Sequence, residues 1–282
     1  MTAPSADPHV DSDAYGHMAA IAIAVIAGFR IAALALNQLN LGADEAQYWF
    51  WSLTPDFGYF SKPPMIAWLI GATTGLFGSE EWAIRLTSPL LHAGAAWALY
   101  VLGRELYGPR TGFWAALGYM TLPAVSFSSG LITTDAPLLF FWCLSLTVFH
   151  RLLNEPDGRE GMLLGALIGM GLLSKYAMIY FVIGMVAATL FRADARRVLY
   201  GKTGLAIAAT AVLIISPNLL WNVTHDFSTV SHTAANANWG ASLFNADKLV
   251  KFLTDQFAVL GPLFFAAFLL MCAALLRPGR PP

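Results

Sequence analysis

Asp44 and Glu45 stand side by side directly after the apolar run 18–41. Adjacent carboxylates at a low-dielectric boundary are desolvated, which raises proton affinity and suits one of them to act as a general base near neutral pH. A structural reading explains the position equally well: Asp44 caps a short helix over 45–52. Lys62 follows in Ser61-Lys62-Pro63-Pro64. The residue before a proline is held extended and the prolines open a helix, so the lysine projects from a helix N-terminus, where a phosphate is favoured. Both prolines lack an N–H, so the lysine charge must supply most of that attraction. The competing reading is an interface lysine with its stem along lipid.

Asp135 opens a later apolar run in Ile132-Thr133-Thr134-Asp135-Ala136-Pro137. Capping by Thr134 or Asp135, with proline in the first turn, is sufficient reason for that pattern. Lys175 separates the apolar runs 161–174 and 176–191. An ionisable residue in such a place is a site candidate, and Asp135 is its expected partner. Tyr48 and Tyr59 belong to a cluster with Trp49, Phe50, Trp51, Phe57 and Phe60. Such rings form either a belt at the membrane surface or the lining of a pocket. His225 is a further pocket candidate in the segment 222–247, which also holds His232, Asn236, Asn238 and Trp239. Its histidines do not have zinc-motif spacing. Cys143 and Cys272 sit inside apolar runs and make neither a disulfide framework nor a metal site.

The elements that position these residues must be built for lipid. Charged residues are 12% of the 282 and apolar residues 57%, and mean hydropathy is +0.60; a soluble chain carries about 25% charge. The net charge of −1 disfavours nucleic acid as a partner. Apolar runs at 18–41, 82–103, 112–128, 136–153, 161–174, 176–191, 203–221 and 249–276 predict an all-α, polytopic bundle of about eight spans. Residues 65–77 reach only ~20 Å against a core of ~30 Å and read as an interfacial helix. Residues 1–17 read as a disordered cytoplasmic tail, and 18–282 as one transmembrane domain with outer loops at 42–81 and 222–247. The tail has no Lys or Arg, so the first run reads as a span and not a cleaved leader. Arg30, within that span, reads as bundle-facing or snorkelling. This orientation puts ten of the sixteen basic residues inside and leaves Lys62, Arg85, Lys175, Lys248 and Lys251 outside. Lys175 would lie near mid-membrane in one continuous helix, so two short, broken spans meet there.

The outer face thus collects carboxylates, lysines and aromatic rings beside lipid. Transfer of a sugar from a polyprenyl phosphate uses that inventory economically: a carboxylate deprotonates the acceptor hydroxyl and a cation holds the departing phosphate. The acid–base pair of a water-using glycosidase is not needed. At Ala43-Asp44-Glu45-Ala46-Gln47-Tyr48-Trp49, Gly58-Tyr59-Phe60-Ser61-Lys62-Pro63-Pro64, Thr133-Thr134-Asp135-Ala136-Pro137 and Pro217-Asn218-Leu219-Leu220-Trp221-Asn222, the chain resembles the family 39 glycosyltransferases. These include protein O-mannosyltransferases and the bacterial aminoarabinose transferases that modify lipid A, and the similarity covers about residues 40–225.

The resemblance implies a GT-C membrane fold, a polyprenyl-phosphate sugar donor and inversion at the anomeric centre. It implies Asp44 as the catalytic base, Lys62 in contact with the donor phosphate and Asp135 beside that pocket; the residues themselves add Glu45 as a second catalytic carboxylate, Lys175 as a second phosphate-binding cation, and Tyr48, Tyr59 and His225 as pocket candidates. It further implies an inner-membrane enzyme with a periplasmic active face and an acceptor that is a lipid, glycan or protein. No cofactor is singled out, and a divalent cation is compatible. Family members usually continue with further helices and often a soluble domain, so the chain reads as C-terminally short. Two other classes stay open: a flippase or transporter of a lipid-linked sugar, which predicts mid-membrane ionisable groups and repeat symmetry, and a non-catalytic scaffold.

Overall fold

The computed structural model describes residues 8–237 and 246–275, and every regular element within them is helical. The first helix, α1 (Pro8–Leu36), begins well before the apolar run, so residues 8–17, expected as a disordered tail, are helical. Residues 1–7 lie outside the described part, as do Asn238, Trp239, Arg277 and Arg280. Two short helices follow, α2 (Ala43–Ser52) and α3 (Met65–Phe77), and then the single turn α4 (Glu81–Arg85). Helix α2 turns Glu45, Tyr48 and Ser52 inward, one stripe at helical spacing. Tyr48 packs there with Ile66, Ile70, Ile84 and Ile132, a small core that binds the first outer segment to the bundle.

Helices α5 (Thr87–Tyr107), α6 (Pro109–Thr121) and α7 (Pro123–Ser128) come next. The run expected at 112–128 is broken because Leu122, preceding Pro123, takes an extended conformation (φ −59°, ψ 135°). Helices α1, α5 and α6 share a core of Ala19, Ile23, Ala27, Ala96, Tyr100, Phe113 and Met120. Arg30 spans from α1 to the α6–α7 corner, donating to the Met120 carbonyl and to the hydroxyls of Ser129 (2.9 Å) and Ser126 (3.0 Å).

The remainder is α8 (Asp135–Asn154), α9 (Gly158–Ser174), a 3-10 turn (Tyr176–Met178), α10 (Ile179–Phe191), α11 (Ala193–Leu199), α12 (Lys202–Thr224), α13 (Ser228–Ala237) and α14 (Ala246–Leu275). Lys175 is extended (φ −160°, ψ 132°), so the chain does break there into two short pieces. Much of the expected loop 222–247 is helical, in the last turn of α12 and in α13. Helix α14 kinks at Gly261, whose φ of 75° only glycine adopts readily, followed by Pro262. Among the described residues four helices are long and apolar enough to cross a membrane: Asp13–Leu36, Asp135–Asn154, Lys202–Thr224 and Ala246–Ala274. The other expected crossings are shorter or less apolar, so helix length and composition carry four crossings, not eight.

The most extensive helix contact joins α9 to α12. Gly161, Gly165 and Gly169 recur every fourth residue along α9 and let the two backbones meet, as in membrane helix pairs with small-residue seams. A Cβ on Gly165 would lie 2.4 Å from the Ile207 carbonyl oxygen. Gly165→Val is therefore expected to destabilise the protein by about 1–3 kcal/mol through overpacking. Gly184→Val, at a position with open space around it, serves as the control. Thermal unfolding in detergent checks the difference.

Candidate active site

One cavity of about 500 Å³ gathers most of the polar residues expected to do chemistry. Asp44, Glu45, Tyr48, Lys62, Asp135 and Lys175 all line it, together with the backbone stretch Leu131–Thr134. Two helix starts deliver the acids: Asp44 sits in the first turn of α2, and Asp135 is the first residue of α8. The N-cap of α2 is Gly42 rather than Asp44, which leaves the Asp44 carboxylate exposed at the cavity. Thr134 holds the N-cap position of α8 without a side-chain cap bond.

Glu45 is not available as a second catalytic carboxylate. It is 5% exposed, and its two oxygens accept four hydrogen bonds. The Arg85 Nε and Nη2 donate at 2.8 and 2.7 Å, the Gly42 N–H at 2.9 Å and the Ile132 N–H at 3.0 Å. Arg85 is itself buried, and its other donor bonds reach the carbonyls of Leu39 (3.0 Å) and Asn40 (3.1 Å). Burial alone would raise the Glu45 carboxyl. The Arg85 guanidinium and the two backbone N–H groups outweigh it and hold Glu45 below the usual carboxylate range. Glu45 is thus held in place by Arg85 and two backbone N–H groups, beside the exposed Asp44.

Tyr48 is buried below the cavity, and its phenol is pushed up to about 12 by that burial and then by the charges of Asp44 and Asp135. It remains a neutral donor at neutral pH. Lys175 reaches Asp135 at 2.7 Å, with both side chains partly exposed, 39% and 52%. Lys62 has no ion-pair partner among the described residues.

Tyr59 and His225, expected in the pocket, do not line it. The Tyr59 hydroxyl is turned into its own loop, where it accepts from the Asp56 N–H (3.0 Å) and lies 3.1 Å from the Trp51 carbonyl, with its ring stacked on Trp51 at 4.8 Å. His225 stacks on Trp221 at 4.0 Å and bonds the Trp221 carbonyl at 2.8 Å, finishing the last turn of α12. Both are engaged by backbone groups and rings of their own neighbourhood. Among the described residues no three His, Cys, Asp or Glu side chains are grouped to hold a metal.

The loop that carries Lys62 is fixed from the far end of the chain. Trp221 Nε1 donates to Asp56 Oδ2 (2.8 Å) and Asn218 Nδ2 to the Phe57 carbonyl (2.7 Å). The Trp221 ring lies so close that a Cβ on Gly58 would fall 2.4 Å from it. Asn218 also accepts from the Tyr176 hydroxyl (2.8 Å), which ties the segment after Lys175 to the same helix end.

The family model described as dolichyl-phosphate-mannose-protein mannosyltransferase matches residues 61–221, more than half of the chain. The chain belongs to this family. The lipid A galacturonosyltransferase RgtD of Rhizobium johnstonii is 38% identical over 260 residues, covering 91% of this chain and 54% of the relative. The lipopolysaccharide core galacturonosyltransferase RgtA of the same organism is 30% identical over 81% of this chain and 47% of the relative. The undecaprenyl phosphate-α-4-amino-4-deoxy-L-arabinose arabinosyl transferase of Pseudomonas aeruginosa is 30% identical over 56% of this chain. The chain thus spans about half the length of the galacturonosyltransferases it matches. Apo ArnT from Cupriavidus metallidurans superposes with a TM-score of 0.61 at 20% identity, over 74% of this chain and 42% of that one, so the fold is that of ArnT. The expected GT-C architecture and family resemblance both hold.

Sequence reasoning counted Arg85 only as an outer basic residue, and Thr133 only as part of a motif. Arg85 lies near the start of the run 82–103, forty residues from Glu45, and no local signal in the sequence joins the two. Thr133 lines the cavity with a buried hydroxyl that has no hydrogen-bond partner among the described residues. Glu45→Gln would leave the Arg85 charge buried without its counter-ion, at an expected cost of about 3–5 kcal/mol. Asp44→Asn, at an exposed position, should change stability by no more than about 0.5 kcal/mol. Because the folded carboxyl of Glu45 lies below its unfolded value, its stabilisation is present above the ordinary carboxylate range and is lost as pH falls through the depressed value. Thermal midpoints of wild type and Glu45→Gln across acidic pH should show that limb only in wild type.

Proposed function

We propose that this family member is a membrane glycosyltransferase that moves a sugar from a polyprenyl-phosphate donor to a lipid A or lipopolysaccharide acceptor. The observation that carries this reading is the single cavity shared by Asp44, Lys62, Asp135 and Lys175. Asp44 is the base: its exposed carboxylate takes the proton of the acceptor hydroxyl as that oxygen attacks the anomeric carbon. The bond from that carbon to the phosphate oxygen breaks, and the polyprenyl phosphate leaves with the electron pair. Lys62 meets the phosphate charge, and Lys175 joins it by exchanging Asp135 for a phosphate oxygen. Single displacement of this kind inverts the anomeric centre. Tyr48 lends a neutral hydroxyl to the pocket, since its phenol stays protonated at neutral pH. The likeness to RgtD supports a uronosyl donor and a lipid A acceptor.

The same reading puts the cavity on the periplasmic side of a bacterial inner membrane, with the N-terminus in the cytoplasm and about eight crossings. Four of these are the long apolar helices, and the rest are α5, the broken α6–α7, and the short α9 and α10 around Lys175. The distribution of basic residues supports this orientation. Helices α2 and α3 then lie at the outer interface.

Transfer of radiolabelled sugar from a polyprenyl-phosphate donor to lipid A in proteoliposomes tests the reading. Asp44→Asn is expected to lower transfer by about 10²–10⁴-fold, the usual contribution of a positioned base, and Lys62→Ala to lower it at least as far as loss of one charge-stabilising donor does, about 10²–10³-fold. Unchanged transfer by Asp44→Asn removes the base assignment. Labelled donor crossing the bilayer without transfer by wild type favours the transporter class instead.

A further inference from the structure

A second cavity, of about 440 Å³, opens beside α1 and the segment that leads into α8. Ser129 and Gly130 line this cavity and Leu131–Asp135 line the reaction cavity, so one segment reaches both, and they have no lining residue in common. Its charged lining residue is Arg30, within an apolar span. Every hydrogen bond recorded for that guanidinium ends on a neutral group: the Met120 carbonyl and thioether and the hydroxyls of Ser129 (2.9 Å) and Ser126 (3.0 Å). No carboxylate pairs with it among the described residues. Neutral oxygens orient the cation but do not cancel its charge, and an uncompensated charge within a membrane span is costly and is the usual mark of a site.

We propose that this cavity seats the headgroup of an anionic phospholipid entering from the bilayer. Charge complementarity selects an anion, and the planar guanidinium suits a phosphate in particular. The Nε of Arg30 makes no hydrogen bond among the described residues and remains to be used. The entrance selects a lipid over a free ion: Phe29, 72% exposed, and the exposed Ala33 face outward from the bundle along the cavity, where acyl chains would lie. The exposed Ser126 supplies a hydroxyl at the same mouth. Arg30 lies seven residues before Asn37, about 10 Å along the helix at 1.5 Å per residue, a depth from which the long side chain reaches toward headgroups. The site requires a chain in a membrane but does not depend on sugar transfer.

Native mass spectrometry of the full chain in neutral detergent, titrated with phosphatidylglycerol or phosphatidylcholine, tests this directly. The first phosphatidylglycerol is expected to bind wild type about tenfold more tightly than phosphatidylcholine, a difference of about 1.4 kcal/mol. Arg30→Gln should abolish the preference. Ala33→Phe should abolish it too, since it fills the mouth from an exposed position and leaves the Arg30 hydrogen bonds in place, which separates lipid binding from a folding defect. Absence of the preference in wild type, or its persistence in either variant, overturns the proposal. Displacement of phosphatidylglycerol by equimolar inorganic phosphate overturns it as well, because the site would then take a free ion. Sugar transfer is measured separately, so this outcome and that of the transfer assay fail independently.

Discussion

The buried ion pair between Glu45 and Arg85 is the constraint on which the candidate site depends. Its carboxylate takes donors from three stretches far apart in sequence: Gly42 ahead of α2, Arg85 at the end of α4 and Ile132 ahead of α8. A buried charge tolerates no half measures, because each unfilled acceptor or donor costs far more than it would in water. Those three stretches are therefore held in one relative position. Asp44 is the next residue along the helix and inherits that position, while facing the cavity instead of the core.

A second ion pair, Lys175 with Asp135, has the opposite character. Its distance is the same 2.7 Å, yet both side chains are partly exposed. A pair in that setting is worth only about 0–1 kcal/mol, so the phosphate exchange proposed for Lys175 would cost little. Two bridges of equal length thus differ in strength, and burial decides which is the firmer. The enclosed one fixes the frame, and the open one is held loosely.

Composition, the polar outer segment, the break at Lys175 and the union of Asp44, Lys62, Asp135 and Lys175 were all legible in the sequence. Each rests on a local signal: hydropathy, a proline pair, or an ionisable residue between apolar runs. The partner of Glu45 was not legible, since Arg85 lies forty residues away and carried no local mark. Tyr59 and His225 were misplaced because their types suit a pocket, whereas nearby carbonyls and rings claimed them first. The long start of α1 was missed because its first two turns are polar, and hydropathy alone does not register polar helix. The break at Leu122-Pro123 was not foreseen, because composition reads 112–128 as one run although the residue before the proline leaves the helix.

The hydrogen bonds from Asn218 and Trp221 to the loop at Asp56 and Phe57 join residues separated by 161 and 165 positions. Contacts of that separation cannot form on the ribosome until the later helix has emerged and entered the bilayer. Throughout most of synthesis the lysine-bearing loop consequently has only local bonds, such as that between the Tyr59 hydroxyl and the Asp56 N–H, and no brace from α12. That brace is added late, when α12 locks a turn that was translated among the first sixty residues. A chain halted before that helix would carry the loop unbraced.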